Sequence, residues 1–154
     1  PLICFGQTSL DFFNSGLVKD SLYDYKGSIA EFTKAIELEP DNTEYYSARG
    51  KSRYFSDDFK GSIADYTKAI EFEPDNSEYY NSRGKSRYFL REYDKAISYF
   101  TSLTQSAYNN FDEEAQWMTA LSYEKTGQKN KANKILLQIV EQKGYYEKQA
   151  RLKL

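Results

Sequence analysis

The sequence predicts an all-α protein built from antiparallel helix pairs piled in a row, and three observations predict it. Residues 24–57 recur at 58–91, a shift of 34 residues with nine mismatches, mostly mild exchanges such as Tyr25 for Phe59, Glu31 for Asp65, Phe32 for Tyr66 and Thr43 for Ser77. A period of that size means one supersecondary unit stacked on itself, because such a unit cannot bury its apolar face alone. Each period holds two helix-length stretches with apolar residues at i, i+3, i+4 and i+7. Pro40 and Pro74 stand at equivalent points and close their periods, since proline cannot continue the preceding helix.

Aligning the prolines divides the chain into repeats 9–42, 43–76 and 77–110 and, after a two-residue slip at Phe111-Asp112, 113–146. The first (A) helices are expected near 9–22, 43–56, 77–90 and 113–126, and the second (B) helices near 25–38, 59–72, 93–106 and 129–142. A short helix over about 145–153 follows, amphipathic enough to cover the open end that a stack leaves. Asp41 with Glu44, and Asp75 with Glu78, have the spacing of a capping box. Gly27 and Gly61 inside the B helices each cost about 1 kcal/mol against alanine, so a close backbone approach is expected there.

The repeat resembles the tetratricopeptide repeat. Residues 43–76 carry the family's sparse pattern at Tyr46, Gly50, Ser62, Tyr66, Ala69 and Pro74, and 77–110 carry Tyr80, Gly84, Ala96 and Phe100. The first repeat offers Phe12, Gly16, Ser28, Phe32, Ala35 and Pro40, while the fourth is degenerate, with Ala120, Tyr123, Ala132 and Leu136. The resemblance implies a right-handed superhelical solenoid of about four units plus a C-terminal capping helix, forming a single domain over 9–154 with the cap at 145–154. Gly50 and Gly84 are expected to face Ser62 and Ala96, letting the two helices of a pair come close. The sequence departs from the pattern at Arg49 and Arg83, in place of an apolar residue, and at Arg53 and Arg87, in place of an aromatic. Their stems are expected to pack between hairpins with the guanidinium groups on tyrosines or acids; a dedicated anion site is the alternative.

Composition removes several function classes. With no histidine and one cysteine, Cys4, the chain has no Ser–His or Cys–His pair, no His/Cys zinc site and no internal disulfide. No catalytic, cofactor-binding or metal-binding residue is assigned, and catalysis is not expected. A net charge of −2 gives no reason to expect nucleic acid as a partner, and no apolar run is long enough to span a membrane. Fifteen tyrosines and ten phenylalanines, recurring in register with the repeat, are the compositional anomaly. Residues 1–8, apolar and then small and polar, resemble the tail of a bacterial secretory signal, which implies an exported or periplasmic protein. The alternatives are a frayed segment or a fragment boundary, with a cytoplasmic location.

The family resemblance implies a concave groove lined by the A helices that cradles a peptide or protein partner. Carried onto this sequence, the groove positions are Glu44, Ser47, Lys51, Tyr54 and Phe55, then Glu78, Asn81, Lys85, Tyr88 and Phe89. Phe13, Leu17 and Asp20 flank them on one side, and Trp117, Leu121 and Glu124 on the other. Ladders of lysine and tyrosine would suit a peptide with acidic and apolar residues. Trp117 is the candidate hot spot, with helix packing as its alternative role. The lysine/asparagine clamp with which one subfamily holds acidic chaperone tails is not reproduced, because Ser47 and Asn81 stand at its lysine position and Lys51 and Lys85 at its asparagine position. The expected function is a protein-interaction scaffold; the alternatives are a unit that self-associates through the solenoid ends, or a regulatory repeat segment of a larger protein.

Overall fold

The computed structural model describes residues 7–104 and 112–154, and among these every regular element is helical. The expectations for residues 1–6 with Cys4, for the end of the third B helix at 105–106, for the close of the third repeat at Asn110 and for the slip at Phe111 lie outside the described residues. The chain divides into two compact halves, Pro1–Asp75 and Asn76–Leu154.

In the first half, α1 (Ser9–Ser21) pairs with α2 (Tyr25–Leu38), and α3 (Thr43–Phe55) with α4 (Phe59–Phe72); α2 also packs on α3. In the second half, α5 (Ser77–Phe89) pairs with α6 (Tyr93–Thr104), and α7 (Asp112–Lys125) with α8 (Lys129–Gln142). Here α6 packs on α7, and the short α9 (Glu147–Arg151) lies against α8. The expected helices therefore form within one or two residues of their expected bounds wherever they are described.

The same turn joins A to B in all four pairs. Tyr23, Asp57, Arg91 and Gly127 adopt left-handed φ values of 62°, 62°, 65° and 76°. The residue after each donates its N–H to a carbonyl five residues back: Asp24 to Lys19, Asp58 to Arg53, Glu92 to Arg87 and Gln128 to Tyr123. This is the bonding of a helix C-terminal motif, and it satisfies carbonyls the helix leaves open. The chain then turns directly into the next cap.

The expected capping boxes at Asp41/Glu44 and Asp75/Glu78 do not form. The caps sit one residue later: Asn42 accepts from the Glu44 N–H at 3.1 Å, and Asn76 from the Glu78 N–H at 3.2 Å. A true box closes α1 instead, between Thr8 and Asp11. Gly27 and Gly61 also receive a different explanation. Their N–H groups donate to the capping carboxylates of Asp24 and Asp58, and a Cβ on either glycine would run into that carboxylate.

The repeat glycines do not face the small residues assigned to them. A Cβ built on Gly16 would lie 2.5 Å from the Phe32 ring, on Gly84 2.8 Å from the Phe100 ring, and on Gly50 3.2 Å from Tyr66. The large ring, not Ser62 or Ala96, occupies the space the glycine leaves. Ser28, Ser62, Ala96 and Ala132 are nevertheless fully buried at one shared register. The first half's core gathers Phe13, Phe32, Ala35, Ile36 and Tyr45, with the Phe13 ring 4.8 Å from Tyr45 and 5.5 Å from Phe32. In the second half, Ala96, Phe100, Leu103, Ala115 and Met118 form one cluster, and Ala120, Leu136, Ile139 and Ala150 another.

Candidate functional site

At 100° per residue, Glu44, Ser47, Lys51, Tyr54 and Phe55 fall within an arc of roughly 100° on α3, as do their counterparts on α5. Opposite that arc, Arg49 and Arg83 turn toward Asp65 and the Tyr99 ring of the facing B helices. Glu44 is exposed and Phe55 is 51% exposed, stacked on Tyr25 with ring centres 5.5 Å apart. Ser47 returns its hydroxyl to the Glu44 carbonyl at 3.0 Å. Tyr54 is half-buried, edge-on to Phe55 and Phe59. The Lys51 ammonium lies 3.5 Å from Asp20, whose other oxygen accepts from Ser52 at 2.6 Å.

On α5 the same register is tighter. Glu78 and Phe89 are exposed, and Tyr88 is half-buried between Phe89 and Tyr93. Burial pushes the Tyr88 phenol above its ordinary value, with Tyr93 and Glu124 adding to the effect, so it stays protonated. Lys85 meets Glu114 at 2.6 Å, and the Asn81 amide donates to the same carboxylate at 2.8 Å. Asn81 is only 2% exposed, so it serves α7 rather than the surface. Both lysines thus hold an acid of their own chain, while Glu44 and Glu78 form no ion pair among the described residues.

The flanking residues divide. Leu17 is 43% exposed, but Phe13 is a core residue between Phe32 and Tyr45. Trp117 is half-buried and stacks on Tyr146 at 5.3 Å and 10°, which ties α7 to the turn before α9. Leu121 is half-buried beside the same core, and Glu124 pairs with Lys153 at 2.6 Å.

The four arginines act inside the hairpins. Arg49 grips Asp65 through two nitrogens at 3.0 and 2.7 Å and donates to Thr33 at 3.1 Å; Arg53 reaches the same carboxylate at 2.7 Å. Arg83 lies over the Tyr99 ring at 4.5 Å and over Tyr80 at 5.4 Å. Arg87 lies 5.3 Å from Tyr99 and pairs with Glu92. Asp65 is the partner that sequence reasoning left unnamed; its signal was an acid on α4 that Tyr99 replaces on α6. Among the described residues, no group of His, Cys, Asp or Glu is arranged to hold a metal, and no helix is long and apolar enough to cross a membrane.

These features define a helical-repeat protein whose A helices hold their B helices through cations that meet acids or rings. Tetratricopeptide-repeat family models match residues 12–42 and 114–142, the second of them the repeat that reads as degenerate. Those two stretches are tetratricopeptide repeats. Solved structures with the same fold include MamA (residue 41 to its end) from Desulfovibrio magneticus RS-1, 14% identical, with 90% of this chain and 77% of that one covered at a TM-score of 0.79. YrrB, a TPR protein with an unusual peptide-binding site, is 18% identical over 88% of this chain and 69% of its own, at a TM-score of 0.72. The TPR2B domain of yeast Sti1 in its pHsp70 complex is 20% identical over 78% of this chain and 97% of its own, at 0.66. Comparison with curated proteins gives no match.

Proposed function

We propose that the protein is a non-catalytic interaction scaffold that holds a peptide segment of a partner protein against the A-helix faces. The observation that carries this is the outward arc on α3 and on α5, where an exposed glutamate, an ion-paired lysine and a half-exposed phenylalanine recur in the same order. Phe55 and Phe89, 51% and 47% exposed, each lie edge-on to a half-buried tyrosine, Tyr54 and Tyr88, an aromatic surface of the kind enriched where partners dock. Peptide binding by YrrB supports the reading by analogy of fold.

The electrostatics favour a particular partner. An acidic peptide, suggested by the lysines alone, would have to compete with Asp20 and Glu114 for them. Glu44 and Glu78 face outward beside aromatic edges, so a segment with apolar side chains and an interspersed basic residue fits better. Pull-down from the native source with Glu44, Glu78, Phe55 and Phe89 all changed to alanine should lose the partner. Unchanged recovery would refute the groove assignment. A folded helical spectrum of the variant is the control.

A further inference from the structure

On the other side of α7 lies a pocket of about 230 Å³ lined by Thr101, Gln116, Thr119, Tyr123, Ile135 and Gln138. It sits roughly 130° around the helix from the Trp117, Leu121 and Glu124 face, so it belongs to a different surface from the one proposed above. Its lining becomes meaningful in repeat register. Thr119 stands where the earlier hairpins carry Arg49 and Arg83, and Gln116 where they carry Tyr46 and Tyr80. Tyr123 replaces Arg53 and Arg87, and Ile135 replaces Asp65 and Tyr99. Thr101, on the preceding B helix, is the counterpart of Thr33, which accepts from Arg49 at 3.1 Å.

The pocket is therefore the arginine slot of the repeat with its arginine removed. In the α3/α4 hairpin that slot holds a guanidinium between Thr33, Asp65 and the Tyr46 ring. In α5/α6 the acid is gone, yet the slot still holds Arg83, 8% exposed, over Tyr99 and Tyr80. In α7/α8 the means of holding a guanidinium persist. The Gln116 Oε1 is buried with no hydrogen-bond partner. The Thr119 hydroxyl gives its proton to the Ala115 carbonyl at 2.7 Å, which leaves its oxygen as an acceptor toward the pocket. The Tyr123 ring already draws a cation, the Lys131 ammonium at 5.3 Å. A buried acceptor without a donor is costly and marks a place where a donor belongs.

We propose that this pocket receives an arginine side chain from a partner protein, supplying from outside the guanidinium that Arg49 and Arg83 supply from within. Planar, multi-donor geometry and a weakly hydrated charge suit guanidinium to such a slot better than an ammonium group.

The test titrates the full chain with a short blocked peptide carrying one arginine, and with the same peptide carrying lysine or citrulline, followed by NMR. The arginine peptide should shift the Gln116 side-chain amide and the Tyr123 ring and bind at least about fivefold more tightly than either control. Thr119→Arg, which refills the slot from within, should abolish that binding and raise the thermal midpoint. Gln116→Leu, which removes the acceptor without filling the slot, should weaken binding about tenfold. Equal affinity for the three peptides, or binding that survives in Thr119→Arg, would overturn the proposal. Neither result bears on the Glu44 and Glu78 surface, whose pull-down is separate.

Discussion

Helices α3 and α5 are identical at ten of their thirteen positions, yet their arginines end in different chemistry. In the α3/α4 hairpin, Arg49 and Arg53 share the buried carboxylate of Asp65; in α5/α6, Arg83 and Arg87 share the face of Tyr99. The A helix therefore does not decide what its arginines do. One residue on the facing B helix does: Asp65 gathers both guanidinium groups, whereas Tyr99 offers them a ring face and Arg87 takes an ion pair from Glu92 instead. The α1/α2 hairpin has a third version, with Lys19 on Glu31 at 2.7 Å. The repeat conserves a cation meeting an electron-rich group and lets the group vary.

That comparison is sharpest where charge matters most. Asp65→Asn keeps the shape but leaves two guanidinium groups without their acid, in a site where Asp65 is 2% exposed. Breaking such a pair costs about 3–5 kcal/mol. Tyr99→Phe keeps the ring face and should cost less than about 1 kcal/mol. Urea unfolding of the two variants measures both, and similar losses would show that the hairpins rely on the same interaction after all.

A second contrast concerns the close approach of A to B. Gly16, Gly50 and Gly84 each meet a large ring, whereas the fourth repeat sets Ala120 against Leu136, both fully buried. An added methyl there is matched by a smaller neighbour. Gly84→Ala should therefore destabilise by about 1–3 kcal/mol through overpacking, and adding Phe100→Leu should recover a measurable part of it. Gly50→Ala has a 3.2 Å contact to yield to and a helix-propensity gain of about 1 kcal/mol, so it should be nearly neutral. The order of the thermal midpoints tests this, and Gly50→Ala falling as far as Gly84→Ala would contradict it.

The smallest effect is the pH dependence of the Lys19–Glu31 pair in the first hairpin. The Lys19 hydrogen bond holds the Glu31 carboxyl below its ordinary value of 4.5. A group whose folded pKa is depressed stabilises above its unfolded value and loses that contribution as pH falls through the folded one. The difference in thermal midpoint between the native chain and Glu31→Gln should therefore be largest near neutral pH and shrink below pH 4.5. A midpoint difference that did not change with pH would remove Glu31 from the account.

Much of the architecture was legible in the residues. A 34-residue shift, helical periodicity and two prolines placed α1 to α5, α7 and α8 almost to the residue, because each local preference repeats and agrees with its copies. The caps were misplaced by one residue, since Asp41 and Asn42 are both good caps and only backbone angles choose between them. The candidate surface was legible in register but not in chemistry. Nothing in the order Glu44, Ser47, Lys51 reveals that Asp20, well upstream in the chain, holds the lysine, or that Asn81 is closed off by Glu114. Trp117 looked like an anchor for a partner, and its stacking on Tyr146 appears only when α7 and the chain before α9 are brought together.

By itself, then, the sequence determined the repeat, its helices and the register at which each side chain recurs, because these follow from interactions between residues close along the chain. Only the tertiary structure decided which of those recurring side chains are neutralised, stacked or left facing water. Charge pairing and burial depend on what arrives from the neighbouring helix, and a near-perfect repeat meets different neighbours at each step.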